Sequence, residues 1–213
     1  GRQLTAELRY LAGRPKLIVL ALPRGGVPVA REVATALRVP LDVFVVRKLG
    51  VPGQEELAMG AVASGGVRVV NTETVAALGI SQRVLDEVTV AESKELARRD
   101  RTYRRGRRFP DLKNATVVLV DDGVATGSTM LAALHALRQH GPAHLVAAAP
   151  VMSREARAAL ARVADACVSV ATPEPFHGVG EWYRDFTQTS DAEVLAVLEQ
   201  ANREPGGVLA SRA

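Results

Sequence analysis

The chain has 213 residues, 47% of them hydrophobic, with a net charge of +4. That length can bury one ample core without disulfides or metals, and the single Cys167 excludes an internal disulfide framework. No apolar run approaches the ~20 residues that span a bilayer, and Arg2, Glu7 and Arg9 interrupt any signal-peptide pattern, so a cytoplasmic setting is the expectation.

Gln3 to Leu11 reads as a helix already under way, with no initiator methionine before it, so a piece of a longer protein is expected. Lys16–Leu22 is a nearly unbroken aliphatic run, as in strands buried on both faces. Pro23-Arg24-Gly25-Gly26 breaks it, and Val27–Leu37 follows with Val29, Val33 and Leu37 at helical spacing. Leu41–Val46 is a second aliphatic run, ended by Arg47-Lys48-Leu49-Gly50. This β–α–β order makes the two strands parallel, with a right-handed crossover.

The pattern loosens from Val51 to Asn114. Met59–Ala63 and Val67–Val70, separated by Ser64-Gly65-Gly66, predict a hairpin. Ser81–Arg105 predicts a long helix with Leu85, Val88, Leu96 and Tyr103 on it and Ser81 as its N-cap. Regular alternation returns with a strand at Thr116–Val120, a helix at Gly127–His140 and a stop at Gly141-Pro142. Leu145–Val151 reads as a strand, Ser153–Val163 as a helix capped by Ser153, Ala166–Val170 as a strand and Asp191–Ala201 as an amphipathic helix. The expected fold is α/β: a Rossmann-like, mostly parallel five-stranded sheet with helices on both faces. It forms one domain over 1–203, with an inserted loop, hairpin and helix at 51–114 and a small hood at 173–189. Residues 204–213, with Pro205-Gly206-Gly207, read as a tail or the start of a linker.

Ligands of such sheets bind beyond the carboxyl ends of the strands, and the most informative segment lies at such an end. Val117-Val118-Leu119-Val120-Asp121-Asp122-Gly123-Val124-Ala125-Thr126-Gly127-Ser128-Thr129 takes a buried strand into two carboxylates, then into a loop that opens a helix. Backbone N–H groups at a helix start and the helix dipole favour a phosphate. Gly123 and Gly127 permit close approach, and Thr126, Ser128 and Thr129 add hydroxyl donors. No lysine follows Gly127, so this is not a Walker A loop. Two carboxylates would repel a bare phosphate; they suit a ligand that also presents hydroxyls or magnesium, as a ribose 5-phosphate does.

The stretch Val120-Asp121-Asp122-x-x-Ala125-Thr126-Gly127-x-Thr129 resembles the phosphoribosyl pyrophosphate signature of the type I phosphoribosyltransferases. The resemblance implies that Asp121 and Asp122 hold the ribose hydroxyls, that Gly123 and Ala125–Thr129 wrap the 5-phosphate, and that Mg²⁺ is a cofactor. Any contact of Asp121 and Asp122 with the metal would be indirect, through ligand or water. Leu22-Pro23-Arg24-Gly25-Gly26 resembles the family's pyrophosphate loop, where a cis peptide at Pro23–Arg24 is expected; the alternative is an exposed arginine in a helix-start turn. Arg47-Lys48 resembles the basic pair that begins a mobile catalytic loop, with Gly50, Pro52 and Gly53 in the lid; the alternative is a solvated strand end. Arg24, Arg47 and Lys48 are then the candidate catalytic residues, neutralising the departing pyrophosphate. Pro175–Phe186 takes the place of the family's hood, which implies Phe176 and Tyr183 as candidates to stack on the base and Asp185 near the pyrophosphate; the alternative is an aromatic loop packed on the sheet edge.

The implied activity is Mg²⁺-dependent transfer of ribose 5-phosphate to a nitrogenous base, with release of pyrophosphate, in nucleotide salvage. The partners are phosphoribosyl pyrophosphate and a base or nucleotide, and assembly into a homo-oligomer is expected. Ala125 stands where members acting on 6-oxopurines carry aspartate, which leaves the base open. The rival is a non-catalytic sensor of phosphoribosyl pyrophosphate or a nucleotide. The family pattern does not account for Arg98, Arg99, Arg101, Arg104, Arg105, Arg107 and Arg108, which read as a solvated face, a nucleic-acid contact or a seat for an acidic partner. A fused second domain is a further expectation. His135, His140, His144 and His177 lack metal-ligand spacing, and no G-x-S-x-G elbow is present.

Overall fold

The computed structural model describes residues 1–203, apart from the side chain of Glu56; the tail expected at 204–213 lies outside the described residues. The first half comprises α1 (Arg2–Leu8), β1 (Leu17–Ala21), α2 (Gly26–Leu37), β2 (Leu41–Val43), β3 (Val46–Val51), β4 (Gln54–Ala63), β5 (Val67–Val70) and α3 (Thr72–Ala77). The second half comprises α4 (Gln82–Arg104), β6 (Thr116–Val120), α5 (Ser128–Arg138), β7 (His144–Val151), α6 (Arg154–Leu160), β8 (Ala166–Ala171) and α7 (Asp191–Arg203).

Five strands form one sheet in the order β2-β1-β6-β7-β8, and every neighbouring pair is parallel. The aliphatic runs explain the layering, because alternate side chains of a strand leave opposite faces. Val19, Ala21, Val118, Val120, Val146 and Ala148 enter one core with residues of α1, α2 and α7. Their chain neighbours Ile18, Leu20, Val117, Leu119, Leu145 and Ala147 enter the other, with α5 and α6. The sheet is therefore buried on both faces, and the carboxyl ends of β1 and β6 open side by side, with Ala21 opposite Val120.

The apolar run Leu41–Val46 does not form one strand. β2 ends at Val43, and after Phe44-Val45 the chain enters a separate three-stranded antiparallel sheet, β3-β4-β5. Buried groups fix the crossing: Phe44 N donates to Ala21 O at 2.8 Å, Val45 N to Ser64 Oγ at 2.9 Å, and Ser64 N to Val45 O at 2.9 Å. Arg47 and Lys48 consequently sit inside β3, opposite Val62 and Ala61, rather than at a strand end. The segment read as a lid is a hairpin that turns at Pro52-Gly53, where Gly53 has φ +80°. The second expected hairpin is present, with Ala63 opposite Val67.

α4 is the expected long helix, and Ser81 Oγ accepts from Val84 N at 3.4 Å as its N-cap. Its arginines do not make one cationic face. Arg104 is buried, bonds Asp100 at 2.6 Å and Asp42 at 3.2 Å, and donates to Val43 O. Arg105 pairs with Glu199, and Arg107 donates to the Asn202 side chain at 2.8 Å. These bonds tie α4 and the residues just after it to β2 and α7.

Candidate functional site

Two loops meet at the carboxyl edge of the sheet. The first runs from β1 into α2 through Pro23, Arg24 and Gly25, with a cis peptide at Pro23–Arg24. The second runs from β6 through Asp121–Gly127 into α5. They pack so closely that a methyl group on Gly25 would lie 1.8 Å from Oδ2 of Asp122. One on Gly26 would lie 2.7 Å from Val120 O and 3.0 Å from the Asp121 Cα. These are backbone atoms at the end of a central strand and cannot retreat. Gly26→Ala is therefore expected to cost about 1–3 kcal/mol, measurable as a lower Tm, and to spread the two loops apart.

The helix starts differ in a way that bears on ligands. α3, α4, α6 and α7 begin on capping side chains, Asn71, Ser81, Ser153 and Ser190. α2 and α5, which begin at the two loops, have no side-chain cap. At α2, Gly26 N donates to Leu22 O and Val27 N to Arg24 O, both at 3.1 Å, and Pro28 has no N–H. At α5, Ser128 N meets Thr126 Oγ1 at 3.4 Å and the amides of Thr129 and Met130 are left for a ligand, the arrangement that receives phosphates. Gly127 begins α5 at φ +77°, a conformation that favours glycine. Thr126, Ser128 and Thr129 are exposed around it.

Sequence reasoning assigned Ser153 only to the cap of α6, but the buried hydroxyl has a second bond. Its Oγ accepts from Ala156 N at 3.0 Å and donates to Ala125 O at 2.6 Å, while Ser153 N donates to Val124 O at 2.9 Å. The phosphate-type loop is thus clamped from the end of β7. No short-range signal could show this, because the bonded residues are 28 positions apart. Ser153→Ala removes a cap and leaves the Ala125 carbonyl without its donor. A loss of about 2–4 kcal/mol is expected in thermal unfolding, with weaker binding of inorganic phosphate.

Asp121 and Asp122 lie half-buried between the loops. Burial, and then the neighbouring charge of Asp122, push the Asp121 carboxyl well above the usual carboxylate range. Burial raises Asp122 as well. The pair is short of positive charge and of hydrogen-bond donors, and a ligand offering hydroxyls or a cation would relieve both.

A cleft of about 730 Å³ opens beside this pair, between the pyrophosphate-type loop, α4 and the hood. Arg24, Gly25, Asp122, Tyr183 and Asp185 line it, whereas Gly26, Asp121, Gly123 and the loop Ala125–Thr129 are not among its walls. Tyr183 anchors the hood by donating to Asp122 O at 2.6 Å, and burial, with the charges of Asp122 and Asp121, pushes its phenol upward. Phe176 is half-buried and is not one of the cleft walls; the ring beside Tyr183 is Phe186, with centroids 5.2 Å apart. Arg47 stands apart from the cleft, its Nε 2.6 Å from Glu92 of α4. Lys48 lies on the same strand, half-exposed. Arg24 lies 3.8 Å from Asp191 at the start of α7, and Asp191 also accepts from Tyr103 Oη at 2.7 Å. Burial and that bond raise the Tyr103 phenol to about 12. Sequence reasoning missed Arg98, Arg99, Tyr103, Phe186 and Asp191 as cleft residues, because only the tertiary approach of α4 and α7 brings them there. Among the described residues, no group of three or more His, Cys, Asp or Glu is placed to hold a metal, and no helix is long and apolar enough to cross a membrane.

Comparison with known proteins agrees with this geometry. The phosphoribosyl transferase domain family matches residues 1–183. A Mycobacterium tuberculosis protein carrying the name "Putative phosphoribosyl transferase", found in strains CDC 1551 and H37Rv, is 48% identical over 204 residues. That alignment takes in 96% of this chain and 46% of the relative, so the chain spans about half the length of the curated relatives it matches. The crystal structure of TT1426 from Thermus thermophilus superposes with a TM-score of 0.85 at 42% identity, covering 93% of this chain and 94% of that one. With a family match across most of its length and paired loops at the edge of a parallel sheet, the chain belongs to the type I phosphoribosyltransferase family.

Proposed function

We propose that this domain transfers ribose 5-phosphate from phosphoribosyl pyrophosphate to a ring nitrogen of a base. One observation carries the proposal: the Arg24–Gly25 loop and the uncapped start of α5 lie on either side of the Asp121–Asp122 pair. A cationic loop and a helix-start anion site about a hydroxyl-accepting pair match a sugar bearing pyrophosphate at one end and phosphate at the other. The amides of Thr126–Thr129 would hold the 5-phosphate, Asp121 and Asp122 would accept from the ribose hydroxyls, and Arg24 with Gly25 would hold the pyrophosphate.

In the reaction the bond from the anomeric carbon to pyrophosphate oxygen breaks, a carbon–nitrogen bond forms, and the ring proton of the base passes to the departing pyrophosphate or to solvent. Charge grows on the departing pyrophosphate, and Arg24 would meet that charge from the cleft wall, since donors in place before the step lower its barrier. The carboxylate pair fits magnesium. Two adjacent carboxyls with raised proton affinity suit a cation that arrives with its ligand, and Asp121 and Asp122 would hold it through ligand or water. Bound there, magnesium would supply charge neutralisation for the pyrophosphate. Placement in nucleotide salvage and in the cytoplasm belongs to the same proposal.

The contact of Arg47 with Glu92, away from the cleft, favours a second reading, in which the domain binds phosphoribosyl pyrophosphate without turnover and regulates a partner. Incubation of phosphoribosyl pyrophosphate, Mg²⁺ and a broad panel of bases, with pyrophosphate release as readout, separates the two. Release dependent on one base supports the transferase. Tight binding with no release for any base supports the regulator.

A further inference from the structure

The geometry points to an oxyanion subsite at Arg98 and Arg99 of α4, which takes an acidic group carried by the acceptor and rests on the transferase reading above. Both residues line the cleft, as do Arg24 and Tyr103. Their orientation is set by one carboxylate. Glu95 accepts from Nε and Nη2 of Arg98 at 2.7 and 2.9 Å and from Nε of Arg99 at 2.8 Å. Those bonds draw the Glu95 carboxyl down to about 2, so it stays ionised.

One negative charge between two guanidiniums leaves one positive charge over. Among the described residues, Nη1 of Arg98 and both terminal nitrogens of Arg99 make no hydrogen bond. Of the other acids in these walls, Asp122 belongs to the carboxylate pair beside Gly25, and the remaining two are already engaged. Asp191 accepts from Tyr103 and faces Arg24, and Asp185 accepts from Thr187 N at 2.9 Å and Thr187 Oγ1 at 2.6 Å. Guanidinium forks held in place with free N–H groups match carboxylate or phosphoryl oxygens. At the hood end, Phe186 is 49% exposed and packs on Tyr183, which gives a ring an apolar face. A cleft whose walls carry both an aromatic platform and free guanidinium donors fits a heterocycle bearing an acidic substituent.

The test is calorimetry on the full chain with Mg²⁺ and pyrophosphate present, using matched probes: pyrimidine and pyridine rings with and without a ring carboxylate. Separate arms titrate phosphoribosyl pyrophosphate and a nucleoside triphosphate. The carboxylated member of at least one pair is expected to bind tenfold or more tighter, roughly what a charge-assisted hydrogen bond supplies. Arg98→Gln/Arg99→Gln should erase that advantage while leaving the affinity for phosphoribosyl pyrophosphate within about threefold. Both residues are at the surface, so an unchanged Tm verifies the fold of the variant. Four results overturn the proposal, the first three of them from the matched probes and phosphoribosyl pyrophosphate. Those three are no advantage for any carboxylate in the parent protein, an advantage that survives in the variant, and loss of phosphoribosyl pyrophosphate in parallel. Tighter, arginine-dependent binding of the nucleoside triphosphate alone overturns it too, and assigns the subsite to a polyphosphate. Failure of phosphoribosyl pyrophosphate to bind the parent protein refutes the transferase reading instead, a separate outcome.

Discussion

Asp121→Asn/Asp122→Asn is expected to lower affinity for phosphoribosyl pyrophosphate by at least 100-fold while leaving inorganic phosphate binding within a few-fold, since each lost charge-assisted hydrogen bond costs about 1.5–3 kcal/mol. Inorganic phosphate needs only the Thr126–Thr129 amides, which the substitutions leave alone. Equal losses for both ligands would show that the carboxylates are structural. The same variant should unfold at a higher temperature near neutral pH. The sign follows from the upward shifts of both carboxyls in the folded chain. An acid raised on folding binds its proton more tightly when native, so its contribution is favourable at low pH. It is lost as pH rises from the unfolded pKa of about 4 through the native value. At neutral pH the parent protein therefore carries a destabilising carboxylate pair that asparagine relieves. Below about pH 4 the two proteins should unfold alike. A site that gives up stability for function is expected at such a position.

Arg104→Met is the second large effect, this time on the fold. Arg104 is 4% exposed and serves Asp42, Asp100 and the Val43 carbonyl together. Removing the guanidinium leaves Asp42 buried without its cation, which typically costs about 3–5 kcal/mol. In a domain of this size each kcal/mol moves Tm by roughly 2–4 °C, so a drop of roughly 6–20 °C is expected. Arg104→Met/Asp42→Leu should recover part of the loss, because the stranded charge is removed. A drop under about 2 °C for the single variant would show that α4 does not hold β2 in place.

The sequence was a good guide wherever short-range chemistry decides the outcome. Unbroken aliphatic runs announced strands buried on both faces, and Ser81 and Ser153 marked the starts of α4 and α6. The Asp121–Thr129 stretch announced its loop because glycines, carboxylates and hydroxyls sit there in chain order. The reading of Leu41–Val46 as one strand failed because Phe44 and Val45 are as apolar as their neighbours, with no turn residue to mark the exit from the sheet. The same error placed Arg47 and Lys48 at a strand end. α3 also went unread, although Asn71 caps it through Thr74 N at 3.0 Å, since six residues show too little periodicity. The arginine run could not be apportioned from sequence at all. Its partners Asp42, Glu199 and Asn202 come from β2 and α7, distant in the chain. The same limit hid Arg98 and Arg99 from the cleft.

The most direct test of the central claim, that the two loops together form one site for phosphoribosyl pyrophosphate, is a calorimetric titration of that compound with Mg²⁺ present. The account predicts saturable one-to-one binding, at least 100-fold tighter than either inorganic phosphate or pyrophosphate alone, because only the intact sugar joins the two loops across Asp121 and Asp122. Absence of binding, or an affinity no better than that of the separate anions, would contradict it.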